Sequence, residues 1–352
     1  MLRTLSTAAA LLACTAISHA QGAFTFTLDQ AQSNFNWSGT SSLGAIVGNP
    51  STAFQMSGTT GMVLTPSGAD PIASGLLSGT GDALVTPNLN GKINNIFPFL
   101  PPLATIQVNN LHLSFSSPSF PIGVSGAFTA SVTVTALQGT LVVTTLGGTP
   151  SNTPLAGLVS TPQSQSGTLT QTLNNLSLVL PVNTSFAFVD PGTGATGSIT
   201  ITGTLRGNWT CPTPQTYCTA KVNSLGCTPA IAVSGTPSYS SPAACNVTAS
   251  NVLSQRSGLL FYGFAAGNAP FQGGFLCITP PTTRTPIQGS GGTVGGGDCT
   301  GTYSLALSAY VQSFIDPALY PGREVFMQYW SRDPQSPITT GLTNAARATI
   351  CP

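Results

Sequence analysis

AFTASVTVTAL, residues 127–137, places Phe128, Ala130, Val132, Val134 and Ala136 at every second position, with Thr129, Ser131, Thr133 and Thr135 between them. Strict alternation sends the two sets to opposite sides of an extended chain. The stretch therefore reads as a β-strand with one face toward a core and the other toward water. FTFTL (24–28), TIQVNNLHLSF (105–115), GSITITGTL (197–205) and REVFMQYW (323–330) alternate or run apolar in the same way, bounded by Gly, Pro, Asn and Ser. Helix is expected only at TNAARA (343–348) and at residues 309–315. The chain is thus expected to be all-β, built as two β-sandwich or barrel-like domains.

MLRTLSTAAALLACTAISHA (1–20) has one basic residue, Arg3, an apolar run, and small residues at Ser18 and Ala20. This is the pattern of a signal peptide cleaved after Ala20. The competing reading takes Leu11-Leu12-Ala13-Cys14 as a lipoprotein box with Cys14 lipidated. Either route exports the chain, to a secreted or cell-surface location. No later stretch supplies the roughly 20 consecutive apolar residues of a transmembrane helix. Charged residues make up only 5% of the chain, and loss of Arg3 with the leader brings the nine basic residues level with the eight acidic ones. Nucleic acid and acidic membranes are excluded as partners, because neutralising phosphates needs clustered Lys and Arg. With 41% hydrophobic residues, the composition is that of a folding chain, not a disordered one.

A domain boundary is expected near residue 209. Residues 21–208 contain no cysteine, whereas Cys211, Cys218, Cys227, Cys245, Cys277, Cys299 and Cys351 all lie beyond it. Within the first part, stretches 109–141 and 174–205 both open with NNL and close with GTL, a possible internal repeat that sets His112 against Ser177. His112 is the single histidine outside the leader, so a serine or cysteine hydrolase would have to be built on it. Its alternation with Leu111 and Leu113 reads first as a solvent-facing strand position. No nucleophile elbow or HExxH occurs, Glu324 is the lone glutamate, and nothing calls for a cofactor.

Two segments are candidates for binding. NIFPFLPPLA (95–104) gathers Phe97, Phe99 and Leu100 among prolines; it is expected to be buried as a plug closing one end of the sheet, and if exposed it would be an apolar binding tip. In QYWSRDP (328–334), Trp330, Arg332 and Asp333 combine an aromatic face, a planar cation and an acid, a set suited to sugars or peptides. The plainer expectation puts Trp330 in the core and pairs Arg332 with Asp333 or with turn carbonyls. GSGGTVGGG (289–297) lacks a Walker lysine and reads as a loop. Sequons at Asn36, Asn175, Asn183, Asn208 and Asn246 belong to an Asn-, Ser- and Thr-rich surface.

The cysteine spacings in CPTPQTYCTAKVNSLGC (211–227) fit neither paired zinc ligands nor a redox CxxC. In an exported chain they read as a disulfide framework with one thiol left over. YCTAKVNSLGCTPAI (217–231), GLLFYG (258–263), PFQGGFLCITPP (270–281), DCTG (298–301), QYWSRDP and the terminal TICP together resemble a C-terminal module of exported proteins from planctomycete-type bacteria, which implies no assigned activity. FTLDQAQSNFNWSG (26–39) is similar to the opening of β-rich bacterial surface modules, and over one strand and its turn to lipid-binding barrels of the YceI type. The first resemblance implies an apolar residue at Cys245, which makes it the odd thiol. Short loop closures favour Cys218 with Cys227 and Cys277 with Cys299, and pinning the C-terminus favours Cys211 with Cys351. The leading functional expectation is a non-catalytic surface or extracellular-matrix protein. A module binding surface glycan, lipid or protein comes second and a hydrolase dependent on His112 third.

Overall fold

The computed structural model describes residues 20–192, 194–241 and 243–352; residues 1–19, which hold Cys14 and nearly all of the expected leader, lie outside them. The first unit has fourteen strands: β1 (Gly22–Leu28), β2 (Asn34–Ser41), β3 (Gly44–Gly48), β4 (Ala53–Ser67), β5 (Asp70–Leu77), β6 (Ala83–Thr86), β7 (Leu89–Ile93), β8 (Ala104–Ser116), β9 (Phe120–Pro121), β10 (Ala127–Thr145), β11 (Ser151–Pro154), β12 (Gln163–Thr172), β13 (Asn175–Val189) and β14 (Thr196–Trp209). Hydrogen-bonded neighbours run from β8 through β10, β12, β13, β14, β1, β4 and β6 back to β8, every pair antiparallel. A second path, from β14 through β2, β3 and β7, also returns to β8. The sheet is therefore closed into a barrel, which leaves only the short β9 and β11 with a single neighbour among the described strands.

A closed sheet of about eight strands has an interior just wide enough for side chains to fill. Phe24, Phe26, Phe35, Met56, Met62, Leu64, Leu113 and Phe115 are fully buried there. The cavity left among Leu111, Leu113, Phe186, Phe188, Ile199 and Ile201 is about 20 Å³. That is room for about one water, in an apolar lining that offers it no partner. The interior around this cavity is filled by side chains. The alternation of AFTASVTVTAL holds: Phe128, Ala130, Val132, Val134 and Ala136 are buried. At Gly139, with φ +142°, β10 carries register shifts against β8 and exchanges its other neighbour, β12, for β11. Glycine accepts that backbone and lets a 19-residue strand bend around the barrel.

NIFPFLPPLA is not a plug. It forms the loop between β7 and β8, with Ile96, Phe97, Phe99 and Leu100 in solvent and the Phe97 ring tilted against Phe99 at 5.7 Å. The interior is already occupied by strand side chains, so within this segment only Leu103 and Ala104 reach the core. The two NNL…GTL stretches are both antiparallel pairs, β8 with β10 and β13 with β14, but Leu141 pairs with Val108 whereas Leu205 pairs with Leu180.

The second unit comprises β15 (Gln215–Tyr217), β16 (Ala230–Ser234), β17 (Asn246–Val252), β18 (Ser257–Gly263), β19 (Ala266–Phe271), β20 (Gly274–Ile278), β21 (Thr283–Arg284), β22 (Gln288–Gly289), β23 (Gly301–Ala306), α1 (Leu307–Gln312), β24 (Glu324–Arg332) and β25 (Thr340–Thr349). A sheet ordered β15-β25-β24-β18, with β21 and β22 beside β18, packs one face on the three-stranded sheet β16-β17-β23 through Val247, Tyr303, Met327, Tyr329 and Ile350. Its other face is partly covered by the β19–β20 hairpin through Phe261, Ile278, Phe326 and Leu342. Burial on both faces explains why TNAARA is strand, not helix: it lies in β25, bonded to β24 on one side and β15 on the other, where its small alanines fit between layers. Tertiary context overrides the helix preference of Ala and Arg. The second expected helix is present as α1, ending at Gln312.

Three disulfides join Cys211–Cys351, Cys218–Cys277 and Cys227–Cys299, and Cys245 is free and buried. The first pair and the odd thiol are as expected. The other two pairs are not, because the β19–β20 hairpin folds back over residues 217–221, where the Tyr217 hydroxyl donates to the Cys277 carbonyl at 2.5 Å. The glycine-rich segment that a Cys277–Cys299 bridge would have closed is held instead by Asp298 and Thr300, whose hydroxyl accepts from the Thr293 amide at 2.9 Å. Disulfides of this number belong to an oxidising, non-cytoplasmic setting. Among the described residues no strand pairing joins the two units; their junction includes Tyr239 Oη donating to Gly68 O at 2.8 Å and Gln171 Nε2 to Ser240 Oγ at 3.0 Å.

Candidate binding cleft

The β19–β20 hairpin turns through Gln272 and Gly273, with φ +49° and +74°, between paired Phe271 and Gly274. Two consecutive positive φ values are the signature of the tight turn that suits the strand twist of a hairpin. Lys221 Nζ pins this turn by donating to the Gln272 carbonyl at 2.9 Å, while also reaching Thr340 O at 2.7 Å and Ser336 Oγ at 3.2 Å. From the sheet below, fully buried Gln328 accepts from the Cys277 amide at 3.1 Å and donates to Phe275 O at 3.0 Å and Thr343 O at 2.7 Å. The Cys218–Cys277 disulfide adds a covalent tie.

Between this anchored hairpin and the end of β24 lies a cleft of about 340 Å³, lined by Leu259, Phe261, Phe271, Gln272, Arg284 and Trp330 among others. Trp330 Nε1 donates to Gln272 Oε1 at 3.2 Å, which fixes the indole and leaves the Gln272 amide NH2 as a donor at the mouth. The Arg332 guanidinium lies 5.3 Å above the Trp330 ring. Such a site offers apolar ring faces beside a few oriented donors, the usual make-up of a small-ligand cleft.

The structure thus brings Trp330 and Arg332 together and separates Asp333 from them. Asp333 points inward, 1% exposed, where Oδ2 accepts from the Ser224 amide at 2.8 Å and Oδ1 has no hydrogen-bond partner. Its backbone closes the following turn by bonds to Thr339 and Ser336. Arg332 therefore stacks on an aromatic instead of pairing with Asp333. Phe97 and Phe99 are far from this cleft in the fold, at the barrel's outer end.

His112 is held on the barrel wall, with Nδ1 2.6 Å from Asp82 Oδ1 and Nε2 3.2 Å from Asn110 Oδ1. Among the described residues both ring nitrogens thus face a side-chain oxygen, of Asp82 and of Asn110, and neither is bonded to a serine or cysteine. Burial pushes the Cys245 thiol up to about 11, so it stays protonated at neutral pH. Among the described residues, no group of three or more His, Cys, Asp or Glu is placed to hold a metal ion. Phe271, Gln272, Arg284 and Lys221 were not picked out by reading the sequence. PFQGGF does carry the hairpin signal, but its meeting with Trp330 is a long-range event. Comparison with protein-family models, with curated proteins and with solved structures gives no match for this chain.

Proposed function

We propose that this is an exported, non-catalytic surface or matrix protein that works by binding, and that the Trp330 cleft takes a glycan. The observation that carries this reading is the fixed indole beside Phe261 and Phe271, with Gln272 and Arg284 at the rim. Sugar rings present apolar C–H faces that stack on aromatic side chains and hydroxyls that bond amide and guanidinium donors. A cleft fixed by a disulfide, buried Gln328 and half-buried Lys221 costs little to order on binding. The export arm rests on the leader-like residues 1–20 and on the disulfides.

The test is titration against a panel of neutral and acidic oligosaccharides. Trp330→Ala and Phe271→Ala should each weaken binding about tenfold or more, since one buried aromatic contact contributes on the order of 1.5–3 kcal/mol. His112→Ala should bind like wild type. A panel on which the wild type binds nothing, or a hydrolase activity lost in His112→Ala with the fold intact, would overturn the reading.

A further inference from the structure

Topology gathers four connections at one end of the barrel: residues 42–43 after β2, 94–103 after β7, 146–150 after β10 and 190–195 after β13. They are neighbours there. Leu146 N donates to Leu103 O at 2.8 Å, and Ser151 Oγ donates to Asp190 Oδ1 at 2.6 Å. From these connections and their margins Leu43, Ile96, Phe97, Phe99, Leu100, Leu146 and Val189 stand in solvent, with Ile96 86% and Phe99 82% exposed. Single exposed apolar residues are ordinary; seven on one rim are not.

The charge pattern narrows the partner. Across all four connections the single ionisable residue is Asp190, which is buried and accepts from Ser151 and Thr153 hydroxyls. Sinking this rim into an apolar medium would therefore strip water from no exposed charge, the step that normally forbids insertion. The loop is also stiffened by Pro98, Pro101 and Pro102, so its side chains project without first having to be ordered. Projecting tips suit a medium that closes around any shape, whereas a second copy of this rim would present tips to tips. The second unit docks at the opposite end, through Tyr239 on Gly68 and Gln171 on Ser240, away from the outer rim.

We propose that this rim inserts into the interfacial layer of a lipid surface, with Ile96, Phe97, Phe99 and Leu100 as the leading side chains. Aromatic and aliphatic tips at the headgroup boundary are what such insertion uses. No basic cluster accompanies them, Lys92 alone lying nearby on β7, so the surface recognised is neutral and zwitterionic and not an acidic one. The barrel would stand on the lipid and hold the second unit away from it. This inference is independent of the glycan reading, which concerns the other unit.

The test is sedimentation of the chain from Gln21 onward, which contains every described strand and excludes the apolar leader, with phosphatidylcholine vesicles. The wild type should pellet with the vesicles, and Phe97→Ser combined with Phe99→Ser should lower partitioning by more than about tenfold. Val124→Ser, an exposed apolar position at the opposite end, should leave partitioning unchanged, and adding anionic lipid or salt should have little effect. The idea fails if the wild type stays in the supernatant. It fails equally if the double variant, still folded by circular dichroism, partitions normally, if binding appears with anionic vesicles alone, or if the rim mediates a dimer without lipid binding.

Discussion

Gln328 decides whether the hairpin stays on the sheet. It faces a covered side of β24 and satisfies one amide and two carbonyls that have no water to turn to. Gln328→Leu keeps much of the volume but strands those groups, so it should destabilise the second unit by about 2–4 kcal/mol and loosen the Trp330 cleft. Urea unfolding and ligand titration would read the two effects separately. Titrating residues set an alkaline limit. Burial raises Cys245 from 9.0 to about 11, Tyr303 from 10.0 to about 12, and, with a further push from Glu324, Tyr217 to about 12. Below pH 9 these groups are protonated whether folded or not, and cost nothing. Above it the unfolded chain ionises first, so stability should fall from about pH 9 toward pH 12. Melting temperature measured across that range checks it. At this scale the sequence showed Trp330, Arg332 and Asp333 as a group, because aromatic and charged residues are conspicuous, but not that Asp333 turns away from the other two. Gln272 and Lys221 were invisible, since their roles lie in bonds across 58 and 119 residues.

The elements show where local reading holds and where it fails. Alternating strands of the barrel were legible because the interior enforces one face on each of them. TNAARA misled because its alanines are chosen to fit between two layers, and small residues serve a crowded strand as readily as a helix. Short-loop reasoning likewise misassigned Cys218 and Cys277 to neighbours in sequence, when the hairpin brings them together across 59 residues. Peptide mapping without reduction should recover Cys211–Cys351, Cys218–Cys277 and Cys227–Cys299, and a Cys218–Cys227 peptide would contradict the fold. The hairpin's turn makes its own prediction. At Gly273 the backbone has φ +74°, and a β-branched side chain there is strained. Gly273→Val should cost about 1–2 kcal/mol and weaken cleft binding, while Gly289→Ala, with open space around its Cβ and an ordinary φ, should do neither. Chemical denaturation of the two variants separates the outcomes.

At the scale of the whole molecule, the barrel and the disulfide-bearing unit are stabilised by different means. One apolar cluster runs from Phe24 to Leu205 and two others from Ile231 to Ile350, with no shared member. The barrel contains no cysteine; the second unit closes loops of 140, 59 and 72 residues with its disulfides. Cross-links of that span are worth on the order of 4 kcal/mol each if they act through the unfolded chain. Between the units lie the two hydrogen bonds noted above, the close approach of Gly22 and Phe24 to Pro321 and Gly322, and the Cys211 amide on Asn175 Oδ1 at 3.2 Å. Contacts of this kind are small beside either core, so each unit should unfold in its own cooperative step. Reductant should then lower the melting temperature of the second unit alone and leave the barrel's transition in place. A chain ending just after Trp209 should keep the barrel's β-sheet circular dichroism and its melting temperature within a few degrees, because Trp209, which packs edge-on against Phe24 at 4.9 Å, stays with it. Calorimetry of the intact, reduced and truncated proteins distinguishes this from a shared core. A single transition that moves as one when the disulfides are reduced would show that the junction couples the two units more strongly than its contacts indicate.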